Sequence, residues 1–363
     1  MHMTKAISCY TAALIFFFSS TYSQHLSEST IRKIDHIFQK WDNPHTPGAV
    51  IGIVQKDSLI YSKGYGQADL EHSTPNTPGT IYYMASVSKQ STAYAVVLLA
   101  RQGRLKLDDD IRQYLPWMAD FGQRITIRNM LNHTSGIRDD IDLAEKSGLL
   151  TRQVLTQQLA LEILKKEHSL IFSPGNKFSY SNSNFVLLAE IVRVVSGQSL
   201  QSFISETIFK PLGMSHSRFI GDDHEVIGNR ALSYVEDKRN FVYDPQTVYT
   251  LGDGGLFTNI IDMAHWVSNF YNPKSGDARD IEQLTERGRL NNGREIDYAL
   301  GIYCDYSRGY RRFMHNGGLA GYRTALAIYP DLKMGFIIFS NTGYDRIIAS
   351  IDQLASLLIP GNK

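Results

Sequence analysis

The chain has 363 residues, 43% of them hydrophobic and 20% charged, with a net charge of +1. That is the balance of a globular protein with room for one large domain or two closely packed ones. Nothing in it resembles the basic stripe that nucleic acid requires, and no run of like charges suggests a solvating tail.

The first residues read as an export signal and not as part of the fold. Lys5 gives a positive start, Ala12 to Phe18 an apolar stretch, and Ser19, Ser20, Thr21 and Ser23 a run of small polar residues. A signal peptide over residues 1–23, cleaved before Gln24, is expected. The apolar stretch is shorter than the ~20 residues that span a bilayer, so no stable membrane span should remain after cleavage. The expected location is periplasmic or secreted. Cys9 lies ahead of the apolar stretch, the wrong side for a lipid-attachment cysteine. Removing the leader leaves Cys304 alone, so the mature chain can form no internal disulfide. No metal-ligand spacing and no H-E-x-x-H occurs, and no metal or other cofactor is expected.

Helical spacing of Ile31, Ile34, Ile37 and Phe38 predicts an amphipathic helix from Ser29 to Trp41. Two β-rich runs come next, Gly48 to Val54 and Leu59 to Tyr65, with Asp57 and Ser58 as the turn of a hairpin. The middle of the chain is helical in character: Thr92 to Gln102, Val154 to Lys166, Asn184 to Ser196 and Leu200 to Ile208. Gly197 and Gly213 mark helix ends, and Thr258 or Asn259 begins a further helix through Trp266. Four aromatic and β-branched runs then return: Leu300 to Tyr306, Arg311 to His315, Tyr322 to Tyr329, and Met334 to Ser340. A last helix is expected over about Asp345 to Leu358. Strands at both ends with helices between predict an α/β (α+β) fold. One antiparallel β-sheet, flanked by helices and built from both chain ends, would carry a mostly helical inserted domain. The α/β part would be residues 24–85 plus 295–363 and the helical part 86–294, with the active site at their seam.

Three short motifs carry chemistry. Ser86-Val87-Ser88-Lys89 is the chain's only S-x-x-K. On a helix the hydroxyl and the amine share one face. A serine needs an adjacent base to act as nucleophile, and a lysine serves as one when burial lowers its pKa. The same four residues are equally a helix start with a solvent-facing lysine. Tyr180-Ser181-Asn182 pairs a phenol able to pass a proton with an amide able to hold a peptide group. It is equally a helix cap, with Asn182 or Ser183 capping the helix that begins there. His315-Asn316-Gly317-Gly318 could let a substrate backbone approach a strand, the Gly318 N–H completing an oxyanion hole with that of Ser86. It could also be a hairpin turn.

Together, in this order, the motifs resemble the penicillin-recognising serine enzymes: AmpC-type serine β-lactamases, D-alanyl-D-alanine carboxypeptidases, D-aminopeptidases and related esterases. The family's "LLNHTSG", "PLGM" and "GGL…D" segments are matched by Met130 to Ile137, by Phe209 to Met214, and by Gly254-Gly255-Leu256 with Asp262. The resemblance runs from about Ile34 to the C-terminus and implies a β-lactamase/transpeptidase-like fold. It implies that Ser86, Lys89 and Tyr180 are catalytic and that Asn182, His315, Gly317 and Gly318 bind substrate. His133 is expected to order its loop and not to act as a base. Gly252 to Gly255 should border the cleft.

His315 and Asn316 depart from the lysine and small hydroxyl residue of true β-lactamases. A neutral imidazole offers no permanent cation to a carboxylate. The implied activity is therefore first a D-amino-acid-directed peptidase of carboxypeptidase or aminopeptidase type. An esterase comes second, a β-lactamase third, and a low-activity penicillin-binding sensor or scaffold fourth. The partner is a small peptide, ester or β-lactam, with Arg323 a candidate for a substrate anion. Gln198, Tyr249, Tyr306 and Tyr322 are candidates for the cleft lining.

Overall fold

The computed structural model describes residues 26–151, 153–238, 240–344 and 346–361. The proposed leader lies outside them. Helix α1 (Glu28–Phe38) begins at Ser27, whose hydroxyl accepts the Thr30 N–H. Strands β1 (Ala49–Gln55) and β2 (Ser58–Tyr65) form a hairpin after it. Its turn falls one residue earlier than expected, on Lys56 and Asp57, with Lys56 at φ +47°.

Helix α2 (Lys89–Arg101) is reached through a 3-10 turn over Ala85–Ser88, so the helical run begins well before Thr92. Helix α3 (Ser183–Ser196) ends on Gly197 in the left-handed region. Helix α4 (Ile260–Asn269) is capped by Asn259, whose side chain accepts the Asp262 N–H.

Strands β3 (Tyr303–Ser307), β4 (Tyr310–Leu319), β5 (Tyr322–Tyr329) and β6 (Met334–Ser340) lead to helix α5 (Ile347–Leu358). The six strands form one sheet in the order β3-β4-β5-β6-β1-β2, antiparallel throughout. β1 pairs with β6 at the sheet's centre, which brings the two ends of the chain together.

Burial on both faces explains why the central strands read as unbroken apolar runs. Ala49, Ile51 and Ile53 of β1, with Phe336 and Ile338 of β6 and Ala325, Ala327 and Tyr329 of β5, face α1 and α5. Val50 and Val54, Ile337 and Phe339, and Leu326 and Ile328 face the other way. There they pack with Ile260, Met263 and Val267 of α4 and with the helical region.

That region is less purely helical than expected. Its helices Asp140–Lys146, Gln157–Lys165 and Ala278–Leu284 share it with small sheets. In one of these, Tyr82–Tyr83 pairs with Leu256–Thr258, which pairs in turn with Arg218–Phe219. The run Leu200 to Ile208 divides into an α-helix, Leu200–Ile204, and a π turn, Ser205–Phe209. Among the described helices none is long and apolar enough to cross a membrane. Cys304 is buried and unpaired.

Candidate active site

Ser86 lies in the 3-10 turn that feeds α2, directly after Ala85, which holds φ +46°. An alanine in the left-handed region costs about 1 kcal/mol. The strain turns the chain sharply from the strand Tyr82–Tyr83 into the helix and leaves Ser86 at the seam. Thr324 of β5 fixes this corner by donating its hydroxyl to the Met84 carbonyl at 2.8 Å.

The third motif is not a hairpin turn. His315 to Gly318 all belong to β4, and the reversal comes later, at Ala320 and Gly321. Gly317 sits opposite Thr324 and presses on the Ser86 corner. A Cβ there would lie 2.4 Å from the Met84 carbonyl oxygen and 2.9 Å from the Ser86 nitrogen. Neither atom can give way without moving the serine. Gly317→Ala is therefore expected to lower kcat/KM on the order of 10²-fold, the cost of a ~1 Å displacement of reacting groups. Steady-state kinetics beside a melting curve separates that from loss of fold.

Lys89 is fully buried, and its Nζ lies 3.1 Å from Ser86 Oγ, 2.8 Å from Asn182 Oδ1 and 2.8 Å from the Asp253 carbonyl oxygen. Burial lowers its pKa to about 8, although the carboxylates of Asp253, Asp139 and Asp140 pull the other way. Asn182 stands at the N-cap of α3, yet its side chain makes no cap bond; it is spent on Lys89. Its backbone N–H is held by Asp139 Oδ2 at 2.5 Å. Because a lysine ammonium only donates, the amide oxygen must face it, which turns the Asn182 Nδ2 group away from Lys89.

The Tyr180 ring lies 4.9 Å from Lys89 Nζ. Its hydroxyl is buried without a hydrogen bond of good geometry. Burial drives its pKa far up, while the neighbouring Ser86 hydroxyl opposes that shift. The phenol is thus neutral where the lysine is part deprotonated. Two groups whose pKa values are pushed apart in one pocket are suited to divide acid and base work between them.

His315 is 2% exposed. Its Nδ1 lies 2.7 Å from the Asn316 carbonyl oxygen and its Nε2 2.9 Å from the Tyr298 hydroxyl, which lies 3.3 Å from His133 Nε2. His133 Nδ1 faces two donors, the Ser181 N–H at 3.3 Å and the Asn184 amide at 3.1 Å. The protons are thereby assigned by their partners. His133 carries its proton on Nε2 and donates to Tyr298. Tyr298 donates to His315 Nε2, and His315 donates from Nδ1 to Asn316. Burial, then the nearby Lys89, lowers His315 to about 3. His133 orders its loop through these bonds and faces no hydroxyl nucleophile. Tyr298 has no signal in the sequence, since a lone tyrosine after Asp297 carries no motif spacing.

Other expected residues lie elsewhere. Arg323 alternates with Tyr322 and Thr324 on β5, so it points to the opposite face. There its Nη1 donates to the Ala320 and Tyr322 carbonyls at 2.7 and 2.8 Å. Gln198 is exposed beyond the far end of α3, roughly 21 Å of helix away from Asn182. Tyr306 is 71% exposed on the edge strand, whereas Tyr322 is buried against Tyr83. Gly252 to Gly255 do border the site, through the Asp253 carbonyl on Lys89. Among the described residues no group of three or more His, Cys, Asp or Glu side chains is placed to hold a metal ion.

A hydroxyl, a buried amine and a phenol gathered at the seam of an antiparallel sheet and a helical region define a serine acyl hydrolase of the β-lactamase fold. The chain belongs to the Beta-lactamase family of serine hydrolases, whose model matches residues 34–355. It is 27% identical over 341 residues to penicillin-binding protein 4* of Bacillus subtilis, covering 89% of this chain and 75% of that one. It is 29% identical over 309 residues to a D-aminopeptidase of Brucella anthropi, covering 85% of this chain and 58% of that longer protein. Among solved structures, the octameric penicillin-binding protein homologue of Pyrococcus abyssi superposes with TM-score 0.79 at 26% identity, covering 91% of this chain and 78% of the other. The D-amino acid amidase of Ochrobactrum anthropi shares the fold, with TM-score 0.75 at 17% identity over 91% of this chain and 98% of the other.

Proposed function

We propose that this protein is an exported, D-amino-acid-directed peptidase that acts through an acyl-enzyme on Ser86, of aminopeptidase or amidase character more than carboxypeptidase character. The observation that carries the reading is the surroundings of Lys89. Two of its three partners, Asn182 Oδ1 and the Asp253 carbonyl, can only accept; the third, Ser86, can also donate. A neutral amine has two N–H bonds and one lone pair, which suits that set. Lys89 would take the Ser86 proton as Oγ attacks the carbonyl carbon. The oxyanion that forms would be met by the N–H groups of Ser86 and Gly318. Tyr180 would protonate the leaving nitrogen and recover its proton from Lys89. Water then releases the acyl group by the reverse proton path.

The preference among peptidases comes from His315. It is neutral, and both of its nitrogens are engaged, so that end of the cleft offers a substrate carboxylate no cation and no spare N–H. A carboxypeptidase must bind such a carboxylate; an aminopeptidase or amidase need not. The D-aminopeptidase relative supports the same direction. An esterase is the second reading, since the same uncharged end accepts an alkoxide leaving group. Export rests on the leader at residues 1–23.

The test is a substrate panel with Ser86→Ala as control. D-alanine p-nitroanilide is expected to be cleaved at least tenfold faster than a D-Ala-D-Ala peptide, with nitrocefin slower still. Turnover of p-nitrophenyl acetate alone would replace the peptidase reading by the esterase one. Covalent penicillin labelling that survives Ser86→Ala would remove Ser86 from its role.

A further inference from the structure

We propose that Tyr298 is a positioning residue that sets which nitrogen of His315 carries the proton, and so makes the leaving-group end of the cleft select against a free carboxylate. The inference rests on the aminopeptidase reading and names the residue behind its preference. Tyr298 is 1% exposed. Its ring is held edge-on to Tyr303 at 4.6 Å, against Phe178 at 5.6 Å and against the His133 ring at 4.9 Å. Its carbonyl accepts the Gly288 N–H at 2.9 Å, which fixes the backbone as well. Packed on these sides, the phenol keeps its hydroxyl between two Nε2 atoms, 3.3 Å from that of His133 and 2.9 Å from that of His315.

A hydroxyl has one proton, so between two histidines it donates to one and accepts from the other. The direction is decided at the His133 end. Ser135 donates its hydroxyl to Asn184 Oδ1 at 2.6 Å, which turns the Asn184 amino group to His133 Nδ1 at 3.1 Å. The Ser181 N–H meets the same nitrogen at 3.3 Å, and a backbone N–H cannot act as an acceptor. His133 therefore holds its proton on Nε2, and the Tyr298 oxygen accepts it. The phenol's own proton goes to His315 Nε2, and His315 keeps its proton on Nδ1, 2.7 Å from the Asn316 carbonyl oxygen. A backbone amide of the second motif thus orients the histidine of the third, through a tyrosine that belongs to neither.

This arrangement resists a second proton on His315. Such a proton would sit on Nε2, facing a hydroxyl that already donates there. The other groups around the ring offer it no counter-charge. They are Lys89 of α2, His133 from the loop after the helix Ile127–Leu131, Tyr180 from the segment before α3, and Tyr303 of β3. Among the described residues no carboxylate lies within 4.0 Å of His315; the histidines paired in that way are His72, His216 and His224. Burial and Lys89 act in the same sense as the hydroxyl, but the hydroxyl is the influence that loss of one oxygen atom removes. Tyr180, the acid for the leaving group, has its ring 6.3 Å from that of His315, so a charge on His315 is felt where the leaving group lies.

The test compares two substrates that differ in one group, D-alanyl-D-alanine and D-alanyl-D-alaninamide, between pH 8 and pH 5. A terminal carboxyl titrates near ~3.5 and stays ionised over that range. The titration of Lys89 affects both substrates alike and divides out of the ratio of their kcat/KM values. Wild type is expected to favour the amide at least tenfold at every pH. In Tyr298→Phe that preference should persist at pH 8 and shrink at least threefold by pH 5, as His315 takes up a second proton. A role confined to packing would slow both substrates together and leave the ratio alone. A wild-type ratio near one, or a ratio in Tyr298→Phe that stays level with pH, overturns the proposal.

If neither substrate is cleaved in a Ser86-dependent way, the peptidase reading fails, and 15N spectra of the histidines decide the role of Tyr298 separately, with His315→Gln assigning the signal. Wild-type His315 should remain neutral and protonated on Nδ1 down to pH 5, and in Tyr298→Phe it should begin to titrate at least one pH unit higher. Equal titration in the two proteins would end the proposal. The wild-type spectrum alone serves if Tyr298→Phe does not fold: a proton found on Nε2 of His315 at neutral pH overturns the assigned direction and the role with it.

Discussion

Replacing Lys89 with methionine is expected to lower kcat/KM by roughly 10⁴-fold, about as far as Ser86→Ala, because residues that act as one unit fail together. The size reflects the lack of a substitute. Lys89 Nζ is the basic group within hydrogen-bonding distance of Ser86 Oγ. Tyr180 is held neutral by burial and has no lone charge to offer as a base. His315 and His133 have their nitrogens committed to Tyr298, Asn316, Ser181 and Asn184.

The pH profile is a second readout of the same claim. The ammonium cannot accept a proton, and the neutral amine accumulates above about 8. Activity is therefore lost as pH falls through that value. kcat/KM should drop close to tenfold per unit between pH 7 and 6 and level off above pH 9. The limb should vanish from the residual activity of Lys89→Met. A flat wild-type profile from pH 6 to 9, or a methionine variant with a tenth of normal activity, would show that another group takes the proton.

The sheet could be read from the chain because its strands carry strong local signals. Ala49 to Val54 and Met334 to Ser340 are apolar on both faces, and both faces are covered. The boundaries that shifted are those where tertiary contacts outweigh propensity. β4 runs on through Asn316, Gly317 and Gly318, poor strand formers, because pairing with Ala325, Thr324 and Arg323 holds them extended. The helix expected from Thr92 starts at Lys89, with a turn before it, because the strained Ala85 corner is fixed by Thr324 from across the fold.

The site was legible wherever a motif joined its parts. Ser86 and Lys89 share a helix face, and Asn182 precedes a helix. The residues that tune them were not legible. Asp139, Asp140 and Asp253 act on Lys89 through space, from segments more than a hundred residues apart. Tyr298 joins two histidines that no local pattern connects. Arg323 departs from expectation for the opposite reason: its position in the chain is right, but strand alternation turns it to the far face.

Wild-type protein is expected to lose stability relative to His315→Gln as the solution is acidified, by about 1.4 kcal/mol per pH unit between roughly pH 6 and 4. In the unfolded chain a histidine titrates near ~6.5. In the folded protein His315 is lowered to about 3, first by burial and then by Lys89. Between those values the unfolded state holds one proton more than the folded state. Stability is therefore complete above pH 6.5 and falls as pH drops through the unfolded value, until the folded ring also titrates. Geometry supports the sign, because a second proton on His315 would sit on Nε2, where the Tyr298 hydroxyl already donates. Glutamine keeps an acceptor and a donor without taking up a proton, so it should remove the dependence of this one group. The comparison matters because other groups act in the opposite sense. Burial raises the carboxyls of Asp140 and Asp253, so they take up protons more readily in the folded state and favour it as pH falls. His133, held well below its usual value first by burial and then by Lys89, adds to the histidine effect in both proteins, so most of it drops out of the difference. Urea unfolding of the two proteins at pH 7, 6, 5 and 4 gives that difference directly. Parallel curves would mean that His315 gains its proton without leaving its place, and with that the neutral leaving-group end of the cleft would fall.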